Sequence, residues 1–311
     1  MDDLEYIDDL WLVNLDKLET FDVPKLTSSG GITLDVEAHM ALEMPALEEI
    51  LVMSVTGNFT DVSFPVLRTV DHDLVVANSG LLTSNVPVET TMNVSFPLLN
   101  SSEFIAVVGR ASSVSFPELS SLADPWALTY YHGSNFSLWG ESVSLDLPKL
   151  ATVDGSVNFG GNFSSLDLSS LNNVQKNLTI TAGNPISVNL PELGFARVIR
   201  LTGQIKSIDL SGLVNWFELH VDTDLQFDCA AFLDEFDTFP NKRETTCLTR
   251  GAPVEESTDD EADDSNEEST ERGNESGGDS DDDNGSAALG GCSMGALLAT
   301  SVVVVGLAGL F

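Results

Sequence analysis

The chain has 311 residues, a 42% apolar fraction that is ample for a core, and a formal net charge of −36. No Lys/Arg cluster breaks that acidity, so nucleic-acid backbones and anionic membrane surfaces are repelled and both partner classes are excluded. The charge is uneven: Glu255 to Asp283 holds 15 of the 49 acidic residues and a single basic one, Arg272.

The N-terminal run Met1-Asp-Asp-Leu-Glu-Tyr-Ile-Asp-Asp-Leu10 has no basic n-region, no apolar h-region and no cleavage site. A coil pattern begins at once, with no capping segment. The reading is that an entry signal and a first coil precede this sequence in the natural protein.

A repeat dominates the chain from Val23 to Leu213. Val-Ser-Phe-Pro occurs at Val62–Pro65, Val94–Pro97 and Val114–Pro117, each followed by x-Leu. Variants are Val23-Pro24-Lys25-Leu26, Met44-Pro45-Ala46-Leu47, Leu147-Pro148-Lys149-Leu150 and Leu190-Pro191-Glu192-Leu193. In two copies Ser replaces Pro, at Ser169 and Ser211. The anchors are 21, 20, 32, 20, 31, 21, 22 and 20 residues apart, so two coils carry insertions of about ten residues, near 70–90 and 124–140.

Within a coil, short alternating apolar runs predict strands. The pairs Val157/Phe159, Leu178/Ile180 and Ile199/Leu201 are followed by Gly/Asn corners at Gly160–Asn162, Ala182–Asn184 and Thr202–Gly203. Second pairs stand at Leu166/Leu168, Val188/Leu190 and Ile208/Leu210. Proline at a strand end is tolerated because no ladder donor is needed there. One coil cannot bury its apolar face, whereas stacked coils put Val157, Leu178 and Ile199 in one column. The fold class is therefore all-β, a parallel β-helix or leucine-rich-repeat-like solenoid. About ten coils at ~4.8 Å make a rod of roughly 50 Å.

Cys229 to Phe239 has apolar residues at helical spacing and reads as a short helix capping the last coil. In a secreted protein Cys229 and Cys247 pair and Cys292 is left over; in a cytosolic one the first two are buried free thiols. The glycosylation sequons and the C-terminal signal of this chain favour the pair. Residues 1–248 form the solenoid ectodomain. Residues 249–286 form an acidic stalk expected to be disordered and self-repelling, at most ~110 Å long. Residues 287–311 read as a GPI signal: small residues Asn284-Gly285-Ser286 at the attachment site, a spacer, then the apolar tail Leu297–Phe311. Its removal takes Cys292 away. A single-pass or tail-anchored helix is the competing reading of that tail.

Asn-x-Ser/Thr occurs at Asn58, Asn93, Asn100, Asn135, Asn162, Asn177, Asn274 and Asn284. Asn58 and Asn162 both stand seven residues before their anchors, so one corner can present glycans. Some of these sequons are expected to be idle, and Asn284 serves the lipid instead.

The coil x-Phe-Pro-x-Leu-x-x-Val, the run Gly161–Leu171 and the ending Phe227-Asp-Cys229 to Thr246-Cys247 resemble the fungal GPI-anchored cell-wall organisation proteins. These are the extracellular-mutant and sporulation-specific-2 type, with repeats similar to receptor L domains. The resemblance covers roughly Asp9 to Cys247. It implies a right-handed β-helix, a role in wall integrity, wall polysaccharide or wall proteins as partners, and no catalytic residues. This chain departs from that pattern in its start and in an Asp/Glu-rich rather than Ser/Thr-rich stalk.

Chemistry is otherwise sparse. His39, His72, His132 and His220 lack zinc spacing, and no phosphate-cradling loop or nucleophile motif occurs, so no cofactor is expected. Asp71-His72-Asp73 reads as a solvated coil edge or insertion rather than a metal or acid–base cluster. Asp222 and Asp224, beside the cap, alternate on one strand as carboxylates do in pectinase-type β-helices, but with no basic companion expected. Trp126, Tyr130, Tyr131 and Trp139, in or beside the second insertion, either bind sugar faces or protein, or pack in the core or plug the coil face. The leading expectation is a monomeric, non-catalytic surface glycoprotein. A β-helix carbohydrate-active enzyme and a receptor-like module are the alternatives.

Overall fold

The computed structural model describes residues 3–13, 15, 17–18, 20–78, 90–123, 133–236 and 244–251. The described chain is a parallel β-solenoid of about nine turns. Its elements are β1 (Tyr6–Val13), β2 (Ser28–Glu43), β3 (Glu49–Ser63), β4 (Thr69–Asn78), β5 (Met92–Ser95), β6 (Ser101–Ser115) and β7 (Ser121–Leu122). They continue with β8 (Gly133–Asp146), β9 (Thr152–Val153), β10 (Ser156–Asp167), β11 (Asn173–Asn189), β12 (Phe195–Asp209), β13 (Asn215–Thr223), α1 (Cys229–Phe236) and β14 (Glu244–Thr249). Every pairing is parallel and joins one coil to the next.

Each coil has three faces. A short first face holds pairs such as Asn173–Val174, Phe195–Ala196 and Asn215–Trp216. The second face holds runs such as Leu178–Ala182 against Ile199–Gly203. The third face comes after a register shift, as Ser187–Asn189 against Ser207–Asp209. The alternating pattern works as the sequence implies: one second-face column runs unbroken through Leu12, Leu34, Val55, Val76, Val107, Phe136, Phe159, Ile180, Leu201, Val221 and Cys247. The expected column of Val157, Leu178 and Ile199 is present beside it.

The nine anchors, seven with Pro and two with Ser, are β-turns rather than strand ends. In all nine, the Leu N–H donates to the carbonyl three residues back, as Leu26 to Val23 at 3.2 Å and Leu213 to Leu210 at 2.9 Å. Proline occupies the second turn position, where its fixed φ is favourable. Phe64, Phe96 and Phe116 open three of these turns. Their rings stack at 5.1 Å and 5.1 Å, each fully buried, and form an aromatic spine along the rod.

Between the second and third faces the chain must turn with little room. Gly203 has φ +93°, and a Cβ there would lie 2.2 Å from the Ala182 carbonyl oxygen of the preceding coil. The two insertions are also localised. The first leaves the second face after Asn78 and rejoins at Thr90; the second leaves after the first face at Ala123 and rejoins at Gly133. Asn78 is fully buried at the first neck, where its amide donates to the Thr90 and Arg110 carbonyls at 3.1 Å each.

Candidate functional site

The alternation that buries one set of side chains presents the other set along the sides of the rod. The six sequon asparagines among the described residues all belong to this outward set. Asn58 and Asn162 stand at the corner after the second face, four coil steps apart by register. The amide oxygen of Asn162 lies 2.0 Å from where a Cβ of Gly183 on the next coil would be, so a side chain at 183 would require the Asn162 amide to turn aside. Asn93, on the third face, donates to Asp61 at 3.1 Å and accepts from Ser113 at 3.0 Å and from Ser112. Asn100 comes directly after a turn and accepts from the Ser101 hydroxyl at 3.0 Å. Asn135 and Asn177 lie on the second face, where Asn158 donates to Asn135 at 3.1 Å. Asn93, Asn100 and Asn177 are exposed and the other three are half-buried. Asn274, Asn284, Gly285, Ser286 and Cys292 lie outside the described residues, as do Trp126, Tyr130, Tyr131 and His132.

The C-terminal end is closed by two elements. Cys229 and Cys247 stand at disulfide distance, S–S 2.00 Å and Cα–Cα 5.5 Å. The pair joins the start of α1 to β14, the strand that extends the second face beyond β13. The Asp228 carboxylate accepts from the Ala231 N–H at 3.0 Å, an N-cap bond that starts the helix. Phe232 and Phe236 are buried on its inner side, and Phe236 meets Trp216 of the last coil edge-on at 5.3 Å. The expected helix is thus present, ending at Phe236 among the described residues; β14 is an addition that the sequence pattern did not disclose.

The second face of the last coils carries a group of charged side chains. Glu218 lies 3.4 Å from His220 and 3.8 Å from Arg200, and the His220 Nδ1 is 2.7 Å from the Thr246 hydroxyl. Asp222 is paired with Arg250, which also lies 3.9 Å from Asp224. This corrects the expectation that the two aspartates lack a basic companion. Arg250 is 28 residues from Asp222 in sequence, and the intervening cap hides their adjacency.

Asp71-His72-Asp73 is indeed at a coil edge. His72 Nδ1 meets Glu103 at 2.9 Å, and that hydrogen bond raises the imidazole pKa above its ordinary value despite slight desolvation. Among the described residues, no group of three or more His, Cys, Asp or Glu is placed to hold a metal ion, and no helix is long and apolar enough to cross a membrane.

No protein-family model, no curated protein and no solved structure matches the chain.

Proposed function

We propose that this chain is a non-catalytic, GPI-anchored surface glycoprotein that supports the organisation and integrity of a fungal cell wall. The observation that carries the reading is the placement of the asparagines. All six sequon asparagines among the described residues sit on the outside of the rod, whereas Asn78, which is not in a sequon, is fully buried. A glycan needs an outward asparagine, and each of the six provides one.

The architecture suits the role. Stacked parallel coils give long, stiff side faces with a constant step, along which a polymer or another wall protein can lie. The cysteine pair at the open end fits an oxidising compartment. In this reading residues 1–248 are the ectodomain, 249–286 the stalk and 287–311 the signal that places a monomer on the outer leaflet or in the wall. The wall role and the lipid rest on the resemblance and on the small-residue, spacer and apolar-tail pattern. Endoglycosidase should sharpen and lower the band of the native protein, phospholipase C should release it from cells, and gene deletion should sensitise cells to wall stress. An unshifted band together with wild-type stress resistance would refute the reading.

A second reading has one observation in its favour: Glu218, His220 and Asp222 share a face, as acid–base groups of a carbohydrate-active β-helix do. Glycan release by the purified chain, abolished in Asp222→Asn, would establish that reading.

A further inference from the structure

The sign of the charge reverses locally on the solenoid. From 173 to 209, β11, β12 and the turn between them carry Lys176, Arg197, Arg200 and Lys206 against Glu192 and Asp209, in a chain whose net charge is −36. Both carboxylates lie at the β-turns. Lys176, Arg197 and Arg200 lie towards the opposite end of the first face, and Lys206 stands apart beyond the second face. Register aligns Asn177, Val198 and Glu218 on successive coils, so the residues before them, Lys176, Arg197 and Phe217, stand at one corner in successive coils. Three residues past that row, Arg200 lies between Thr179 and His220. Neither Lys176 nor Arg197 is within ion-pair distance of a carboxylate among the described residues; Glu218 alone reaches the patch, at 3.8 Å from Arg200. Phe217 is 61% exposed, and the Arg197 guanidinium lies 5.8 Å from its ring centroid.

The corner sets an exposed phenyl ring beside cations that have no carboxylate partner among the described residues, on an otherwise acidic, polar rod. Together they match a ligand with both sugar faces and negative charge. A ring plane stacks on Phe217. Guanidinium and ammonium groups, one row per coil step of ~4.8 Å, meet carboxylates carried at successive sugar units. We infer that the corner formed by Lys176, Arg197 and Phe217, with Arg200, binds an acidic polysaccharide of the uronic-acid class lying along the rod. This rests on the proposed surface role and names the polymer chemistry that the rod engages. Asn177 borders the patch, so a glycan there narrows access to it.

The test is affinity electrophoresis of the full chain in gels containing polygalacturonate, a neutral β-glucan or polyphosphate. Polygalacturonate should retard the protein, and raising salt should weaken the retention. Arg197→Ala combined with Arg200→Ala should cost about tenfold in affinity. Phe217→Ala should weaken binding to polygalacturonate but not to polyphosphate, which has no ring to stack. Lys206→Ala, outside the corner, should leave binding unchanged, and all variants should melt as the parent does because the side chains are exposed. Equal retention by the neutral glucan, no retention by polygalacturonate, or indifference to Phe217→Ala would overturn the inference. A deletion strain that is still wall-sensitive, and is rescued by the Arg197/Arg200 variant, would remove the acidic ligand while leaving the surface role intact.

Discussion

The Asp209 carboxylate accepts a 3.0 Å hydrogen bond from the Ser211 N–H, the backbone donor that proline deletes at the equivalent position of seven other turns. Asp167 does the same for Ser169 at 3.1 Å. A turn built with serine regains a donor, and an aspartate two residues earlier satisfies it. That bond holds the Asp209 carboxyl below its ordinary pKa.

The shift sets the sign of the pH effect. A carboxyl whose pKa is lowered on folding contributes stability above its unfolded value, and loses it as pH falls through the lower folded value. Asp209→Ala should therefore lower the melting temperature at neutral pH, with the difference fading in acid. In a Ser211→Pro background, which has no N–H to satisfy, Asp209→Ala should have a smaller effect; a full double-mutant cycle measures the coupling.

The His72–Glu103 pair runs the other way. Its raised pKa means that its contribution is present below the unfolded histidine value and disappears as pH rises through the folded one. Melting curves of His72→Gln against the parent should differ at mildly acidic pH and converge at alkaline pH. Half exposure of the imidazole keeps the effect small.

Two glycines separate steric need from habit. Gly203→Ala places a Cβ 2.2 Å from a backbone oxygen at positive φ, and should destabilise by about 2–3 kcal/mol. Gly160→Ala, whose nearest neighbour would be the Ser137 hydroxyl at 4.0 Å, should change stability by less than about 0.5 kcal/mol. Denaturant titration of the two variants checks both.

The spine gives the largest expected loss. Phe96 is fully buried between Phe64 and Phe116, each centroid 5.1 Å away. Phe96→Ala should cost about 3–5 kcal/mol, read from the shift in denaturant midpoint at unchanged slope.

The cap is bound by its cysteines. Cys229→Ala should lose about 3 kcal/mol, the loop-closure value for a separation of 18 residues, and should also loosen the Trp216–Phe236 contact, seen as a red-shifted tryptophan emission. Melting with and without reductant checks this independently.

Much of this architecture is legible in the sequence because a solenoid repeats its physics. The near-constant anchor spacing and the Val157/Leu178/Ile199 alternation set stacking and register before any coordinate is known. Features that do not repeat stay hidden. Arg250 reaches Asp222 only because α1 folds back and lets β14 continue the second face. Arg197 and Phe217 become neighbours across one coil step, 20 residues apart, and no single coil announces the patch. The turn role of proline is hidden for a different reason: strand-end and turn positions look alike in a short alternating run.

Glycopeptide mass spectrometry on the protein made in its own cells tests the central claim most directly. The account predicts N-glycan on several of Asn58, Asn93, Asn100, Asn135, Asn162 and Asn177. Recovery of all six as unmodified asparagine would contradict it.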